Sequence, residues 1–197
     1  MKSFTLIEIL TVISLILILT VFVVPNFHLA NSKMALERSA YRLAQEFRDA
    51  EEMALSSRGT PASFGSTFFP KGGYGLYFQD KAKSYILFAD CDNDTAEPTP
   101  DHLYDPTGTG SSCKDSGTGQ IFPEKVKEIF LESGVMIKKV NPLSLTAVTF
   151  FPPDPSVRSI PALPAYPSVV LVSIKDETKG YSVDVNQVGR IEIRVYP

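Results

Sequence analysis

An apolar run near the start of the chain constrains the fold more than any other feature. From Ile9 to Val24 every residue is apolar except Thr11, Ser14 and Thr20, and such hydroxyls can donate to carbonyls of their own helix. Counted with its immediate N-terminal flank, the run has roughly 20 residues and is about 30 Å long as a helix, which matches the hydrocarbon core of a bilayer. The sequence therefore predicts a membrane-spanning helix.

The residues before this run predict its orientation. Only Met1, Lys2 and Ser3 precede Phe4. The positive side chain of Lys2 favours a cytoplasmic N-terminus under the positive-inside rule. We therefore expect a single-pass protein of the inner (cytoplasmic) membrane whose remaining chain is extracytoplasmic.

Glu8 is the one charged residue inside the predicted span, where an unpaired carboxylate costs roughly 3 kcal/mol. The segment Lys-Ser-Phe-Thr-Leu-Ile-Glu, from Lys2 to Glu8, resembles the prepilin processing site of type IV pilins and pseudopilins, although that family usually has Gly in place of Ser3. The resemblance implies that a prepilin peptidase cuts between Ser3 and Phe4 and methylates the new Phe4 amine. It also implies that Glu8 faces the Phe4 amine of a neighbouring subunit.

Two other interpretations of this segment are a secretory signal peptide and a plain single-pass anchor. A signal peptide has a shorter apolar region that ends in a small-x-small cleavage site. Here the run ends in Pro25, Asn26, Phe27 and His28. A plain anchor gives no role to Glu8.

A second periodic pattern follows the apolar run. Apolar residues recur mostly at alternating steps of three and four, as on one face of an amphipathic helix; they are Leu29, Leu36, Ala40, Leu43, Phe47, Ala50 and Ala54. The other face is charged, and we expect it to be solvated. Gly59 and Pro61 supply a stop signal, so the sequence predicts one helix from Phe4 to about Ser57.

Pro25 lies where the two patterns meet. Proline removes one helical hydrogen bond and clashes with the preceding turn, so a kink or local melting is expected there. The family resemblance implies a stretch that can unwind in a filament. The alternative is a kink at the membrane exit with no role in assembly.

Beyond residue 60 the period changes to two, which is typical of strands. The predicted strands are Gly75 to Phe78, Tyr85 to Ala89, Glu128 to Leu131, Val135 to Val140, Thr146 to Phe151, Val169 to Ile174, Tyr181 to Val185 and Ile191 to Tyr196. Asn186 and Gly189 favour a hairpin turn between the last two. The predicted fold class is α+β, the pilin fold, in which a long N-terminal helix packs on an antiparallel β-sheet domain. The predicted divisions are a leader (1–3), a transmembrane or filament-core helix (4–24), its amphipathic half (25–58) and a β-rich head (59–197).

Two segments, Asp90 to Pro123 and Pro152 to Pro167, are predicted to be irregular surface loops from their composition. The spacing of carboxylates in the first resembles a calcium loop, with Asp90, Asp92, Asp94 and Asp101 as candidate ligands. Thr95 occupies the position that normally needs Gly. The alternative is an Asp-rich turn whose side chains cap its own backbone.

Cys91 and Cys113 are the only cysteines. An extracytoplasmic location permits oxidation, so a disulfide is expected. The alternative is two free thiols. One disulfide closing a loop of this size would add roughly 3 kcal/mol in the chain-entropy model.

Composition narrows the classes of function. A formal net charge of -3 disfavours nucleic acid as a partner. With two histidines and no G-x-S-x-G, G-x-x-x-x-G-K-[ST], H-E-x-x-H or paired CxxC motif, nothing supports catalysis or a required cofactor. We expect a structural subunit and not an enzyme.

A second resemblance covers the head. The segments from Arg42 to Ser57, from Gly73 to Phe78 and from Tyr181 to Arg194 resemble the H-type minor pseudopilins of type II secretion and related minor pilins. The resemblance implies a pilus or a secretion pseudopilus, with other pilins, the prepilin peptidase, an assembly platform and the inner membrane as partners. It leads to a cell-surface filament or a periplasmic pseudopilus as the destination.

Two alternative functions remain. One is a binding domain on a single anchor. The other is a minor pilin for DNA uptake, since some relatives are thought to bind DNA through a basic C-terminal motif. In this chain Glu192 follows Arg190 and Ile191 where a second base would be wanted.

Overall fold

The computed structural model describes residues 5–60, 70–91, 104, 113–114, 121–141, 147–151, 156–160, 167–186 and 188–197, with only the backbone at 22–29, 114, 121, 139, 141, 156 and 158–160. One long helix, α1, runs from Leu6 to Leu55. The strands are β1 (Gly73–Tyr77), β2 (Ser84–Asp90), β3 (Cys113–Lys114), β4 (Ile121–Phe122), β5 (Lys125–Phe130), β6 (Val135–Asn141), β7 (Ala147–Phe151), β8 (Ser156–Ile160), β9 (Ser168–Ser173), β10 (Asp176–Val185) and β11 (Ile191–Tyr196).

The strands form two main antiparallel sheets beside the helix. The first has the order β5-β2-β1-β7-β8, the second has the order β11-β10-β9-β6, and β3 pairs with β4 separately. The helix contacts β1 and β7 of the first sheet and β6, β9, β10 and β11 of the second. The predicted α+β class, with a helix packed on antiparallel sheet, is confirmed.

The helix is attached to both sheets through its second half. Of the predicted apolar face, Leu36, Ala40, Leu43, Phe47, Ala50 and Ala54 are all buried, while the side chain of Leu29 lies outside the described part. The ring of Phe47 lies 5.8 Å from that of Phe78 and 6.3 Å from that of Phe150, both measured between centroids. Alanines on the same face let the backbone of the helix approach the sheets closely.

The helix ends in a Schellman motif. Arg58 N–H donates to the carbonyl of Met53 at 3.0 Å and Ser57 N–H donates to that of Ala54 at 3.1 Å, which is the paired bonding of that motif. Ser57 takes the left-handed position at φ 47°, where glycine is usual. The Tyr74 hydroxyl donates to the Arg58 carbonyl at 2.8 Å, and burial raises the pKa of Tyr74 to about 12. The first sheet therefore holds the end of the helix.

The predicted turn between β10 and β11 is present. The side-chain oxygen of Asn186 accepts from Val188 N–H at 3.1 Å and from Arg190 N–H at 2.7 Å. Gly189 has φ 80°, a conformation that glycine adopts without strain. Asn186 and Gly189 therefore form the turn that the sequence predicted.

The prediction of two irregular loops was wrong in part. Inside the first, β3 pairs with β4, and inside the second, β8 pairs with β7. The prolines that predicted irregularity flank β8 and leave its five residues free of proline. β8 is also an edge strand, which is where neighbouring prolines are tolerated.

Candidate functional site

The first part of α1 carries an apolar surface that no other described element covers. From Leu6 to Val21 its large apolar side chains are between 53% and 82% exposed. The polar side chains on this stretch bond to the helix itself: Thr11 donates to Glu8 O, Ser14 to Leu10 O and Thr20 to Ile16 O, at 2.8 to 2.9 Å. Their hydroxyls therefore do not interrupt the apolar character of the surface.

Glu8 lies in the first turn of the helix. Its side chain is exposed and forms no ion pair with any residue that the structure describes. A carboxylate at a helix N-terminus interacts favourably with the helix dipole. Ser3 and Phe4, the predicted processing residues, lie outside the described residues.

The predicted span 4–24 is described only in part, because Phe4 and the side chains of residues 22–24 fall outside it. Over the described ranges, we find no helix of sufficient length and apolar character to cross a membrane.

Pro25 lies within α1, which continues through it without a break from Leu6 to Leu55. We expected a kink or local melting at Pro25, and of these two the local melting is not present in this structure. Its side chain lies outside the described part, so a role in assembly stays a prediction.

The predicted disulfide between Cys91 and Cys113 is confirmed, with the two Cα atoms 4.9 Å apart. Cys91 directly follows β2, Cys113 begins β3, and both are buried. The bond therefore links the C-terminal end of β2 to the start of β3.

The four candidate calcium ligands are not brought together by what the structure describes. Asp90 ends β2 and is fully buried, with its carboxylate against Gly72, where an added Cβ would lie 1.9 Å from Oδ2. Asp92, Asp94 and Asp101 lie outside the described residues. Among the described residues, no group of three His, Cys, Asp or Glu side chains could hold a metal ion.

The sequence predicted that the charged face of the helix is solvated. In the structure, part of that face contacts other elements. Glu46 is buried and accepts from Lys127 on β5 at 2.9 Å. Arg38 pairs with Glu132 at 3.3 Å, and Arg42 donates to the carbonyl of Phe130 at 3.5 Å. These contacts tie β5 and the turn after it to the flank of the helix.

A second polar group is buried beneath these contacts. The hydroxyl of Tyr85 has no hydrogen-bond partner within the described part of the chain. Its pKa is raised, first by burial and then by the nearby charge of Glu46, with Arg42 acting in the opposite direction. Tyr85 is therefore held as the neutral phenol.

The C-terminal arginines face acids on the same hairpin. Arg194 lies 3.4 Å from Asp184 and 2.7 Å from Glu192, and Arg190 lies 3.0 Å from Glu192. Both guanidinium groups are therefore compensated, which leaves little positive charge here for a nucleic-acid backbone.

Comparisons with solved structures give two similar chains. No family model and no curated protein matches the chain. Two crystal forms of the type IV minor pilin FimU from Pseudomonas aeruginosa are similar to it. One has 14% identity and a TM-score of 0.45 over 82% of this chain and 90% of that chain. The other has 15% identity and a TM-score of 0.43 over 81% and 92%.

Proposed function

We propose that this chain is a pilin-type structural subunit, anchored in the inner membrane by residues 4–24 and assembled through the same helix into a filament. The observation that carries this proposal is the uncovered apolar surface from Leu6 to Val21. A helix that is apolar all round is stable only when lipid or other helices surround it. Before assembly lipid surrounds it, and afterwards the same helices of neighbouring subunits do.

The second half of the helix supports this proposal because it is built for a different environment. Its apolar face is buried on the two sheets. One continuous element therefore joins an unpartnered apolar stretch to a folded head. A helix with these two halves suits a subunit that contributes its helix to a filament core and keeps its head outside.

Glu8 gives the assembly a register. An unpaired carboxylate in a low-dielectric core is unfavourable, and a cation within reach compensates it. Cleavage between Ser3 and Phe4 by a prepilin peptidase would create that cation, the N-methylated Phe4 amine, on a neighbouring subunit. We propose this pairing as the contact that sets the axial position of each subunit.

The destination of the filament is either a surface pilus or a periplasmic secretion pseudopilus. In both, the partners are other pilins and an assembly platform, and the head is extracytoplasmic. The disulfide between Cys91 and Cys113 fits an oxidising compartment.

Mass analysis of the N-terminus tests the proposal most directly. Protein from its native envelope should begin at Phe4 and carry a methyl group on its amine. A chain that retains Met1 would contradict processing and favour a binding domain on a plain anchor. A chain cut after Ala30 would favour a secreted domain.

A pair of matched substitutions tests the role of the carboxylate. Glu8→Leu should remain in the membrane but should be lost from sheared filaments. Glu52→Leu makes the same change at an exposed position of the helix outside the apolar stretch, and should assemble normally. Normal assembly of Glu8→Leu would refute the pairing.

A further inference from the structure

A groove opens just beyond the apolar stretch of the helix, and we call it the basal groove. Its volume is about 950 Å³. One wall is the helix and the other is formed by the turns before β6 and β10 with the adjoining ends of β10 and β11. The lining includes helix residues 31–33, 35–36 and 38, turn residues 132–134, 173 and 175–176, and strand residues 179–181 and 195.

The basal groove has an excess of positive charge. Of its two acids, Glu132 pairs with Arg38. Asp176 accepts from the backbone and the hydroxyl of Thr178 and keeps its negative charge, which offsets one of the remaining cations. The remaining charged residues of the lining are Lys33, Lys175 and Lys179. None of these lysines pairs with an acid in the part of the chain that the structure describes.

The pKa of Asp176 is set mainly by its hydrogen bonds and to a smaller extent by nearby lysines. The pKa of its carboxyl group is lowered, first by the two hydrogen bonds from Thr178 and then by Lys179 and Lys138. Lys179 and Lys138 therefore both lie near Asp176, at the start of β10. The wall opposite contributes Lys33, so positive charge faces the groove from both sides.

Exposed apolar side chains accompany the lysines. Ile174, at the tip of the β9–β10 turn, is 41% exposed, and Val195 in the lining is 75% exposed. The Ile174 amide donates to Gly134 O at 2.8 Å, which fixes the turn. Lysines next to exposed apolar residues are typical of surfaces that bind the interface of an anionic membrane.

The position of the groove along the helix fits that interface. This step rests on the proposed anchoring by residues 4–24. Lys33 is nine residues beyond Val24, or about 13 Å along a helix at about 1.5 Å per residue. The polar head-group layer extends roughly 5–8 Å outside the hydrocarbon core, and a lysine side chain covers most of the remaining distance.

We propose that the basal groove binds the phosphate-bearing head groups of anionic phospholipids while the subunit is in the membrane, before assembly. Lys33, Lys175 and Lys179 contact the phosphates, and Ile174 and Val195 lie against the interface. The contact holds the head in one orientation on the bilayer. Extraction into a filament breaks it.

The test uses the full chain in vesicles of phosphatidylcholine, with or without phosphatidylglycerol. An amine-reactive reagent acetylates accessible lysines, and mass spectrometry of the digest gives the rate at each one. We expect phosphatidylglycerol to slow acetylation of Lys33, Lys175 and Lys179 about fivefold, the factor that corresponds to the attraction of one lysine to an anionic surface. Lys71, near the C-terminal end of α1, serves as the internal control and should not change.

Charge reversal supplies the second measurement. The Lys175→Glu/Lys179→Glu chain should lose the protection of Lys33 by phosphatidylglycerol. The control Lys71→Glu/Arg190→Glu makes the same change in net charge at the other end of the head and should keep it. Equal protection in both variants would overturn the proposal.

Four further outcomes distinguish lipid binding from a free-anion site, a second copy of the chain, a groove that binds no lipid and a failed anchor. Protection by inorganic phosphate in phosphatidylcholine vesicles would mean a site for free anions, and protection that follows protein density would mean a second copy in the groove; either overturns the lipid proposal. A chain that floats with both vesicle types without selective protection overturns the groove alone. A chain that floats with neither overturns the membrane anchor, and the groove with it.

Discussion

The amine of Lys127 lies 2.9 Å from Oε1 of Glu46, across the contact between the edge strand β5 and the helix. The side chain of Glu46 is only 10% exposed, whereas that of Lys127 is 51% exposed. The pair therefore has one buried and one solvated member. Its main contribution is to keep a buried carboxylate partnered, because an exposed ion pair adds little by itself.

A double-mutant cycle tests this role. Lys127→Met should lower the free energy of unfolding by about 1–2 kcal/mol because Glu46 loses its partner. In the Glu46→Gln background the same change should cost less, with a coupling of about 0.5–1 kcal/mol. Denaturant titration of the full chain in detergent gives each value. Lys83→Met, at an exposed lysine, is the control, and a coupling of zero would contradict the assigned role.

Phe47 joins the helix to the first sheet, and its removal should be far more costly. Its side chain is fully buried between the rings of Phe78 and Phe150. Phe47→Ala should lower the free energy of unfolding by about 3–5 kcal/mol through lost burial and the cavity left behind.

The matched control for Phe47 is Tyr41→Ala on the exposed face of the same helix, where the ring is 60% exposed. Surface changes of this kind alter stability by about 0.5 kcal/mol or less. Calorimetry of both variants in the same detergent makes the comparison. Similar losses for the two would mean that the helix is not held by this aromatic contact.

The sequence predicted the elements whose periodicity arises from one local environment. The helical face that includes Phe47 repeats regularly because its described members, from Leu36 to Ala54, are all buried on the same side of the helix. The strand from Ile191 to Tyr196 was predicted with its observed bounds because its turn, its alternation and its length agree. Local rules of this kind need no knowledge of distant residues.

Contacts between distant parts of the chain were not predictable in the same way. The sequence predicted that Glu46 is solvated. Its partner Lys127 lies 81 residues away, and the helical pattern around Glu46 does not indicate it. The basal groove likewise combines Lys33 with Lys175 and Lys179, and no spacing in the sequence links them. Of the candidate site, the sequence predicted the disulfide, which is confirmed, and a role for Glu8, which stays a prediction; only the fold shows which acids already have partners.

The acid–base pairs of the last hairpin predict a pH dependence. Glu192 has a pKa lowered from its ordinary value of 4.5, first by the hydrogen bond from Arg194 and then by the charge of Arg190. Because the folded pKa is lowered, the interaction stabilises the fold above the unfolded pKa and is lost as pH falls through the folded pKa. The loss of this stabilisation therefore occurs only in the acid range, below about pH 4.5.

Carbon-13 NMR titration of the Glu192 carboxyl group checks this sign. The Arg194→Gln chain should show a Glu192 pKa closer to the ordinary value, because it loses the strongest contact. Arg48→Gln, on the helix, should leave the Glu192 titration unchanged. A Glu192 pKa that is equal in wild type and Arg194→Gln would show that the guanidinium does not hold the carboxylate in solution.

The calcium prediction concerns the segment that the disulfide closes. Asp90 fixes one end of the candidate ligand set at the end of β2, and Asp92, Asp94 and Asp101 follow in the sequence. A cation bound only by the folded chain stabilises it by mass action, by about 2.7 kcal/mol when free calcium is at about 100 times its Kd. Chelation should therefore lower the Tm of the full chain, and added calcium should restore it.

Asp92→Ala should already melt at the lower temperature and should not respond to chelator. Asp80→Ala, at an exposed turn outside the closed segment, should respond as the wild type does. Identical melting curves for the wild type with calcium and with chelator would leave the Asp-rich turn, capped by its own side chains, as the correct interpretation.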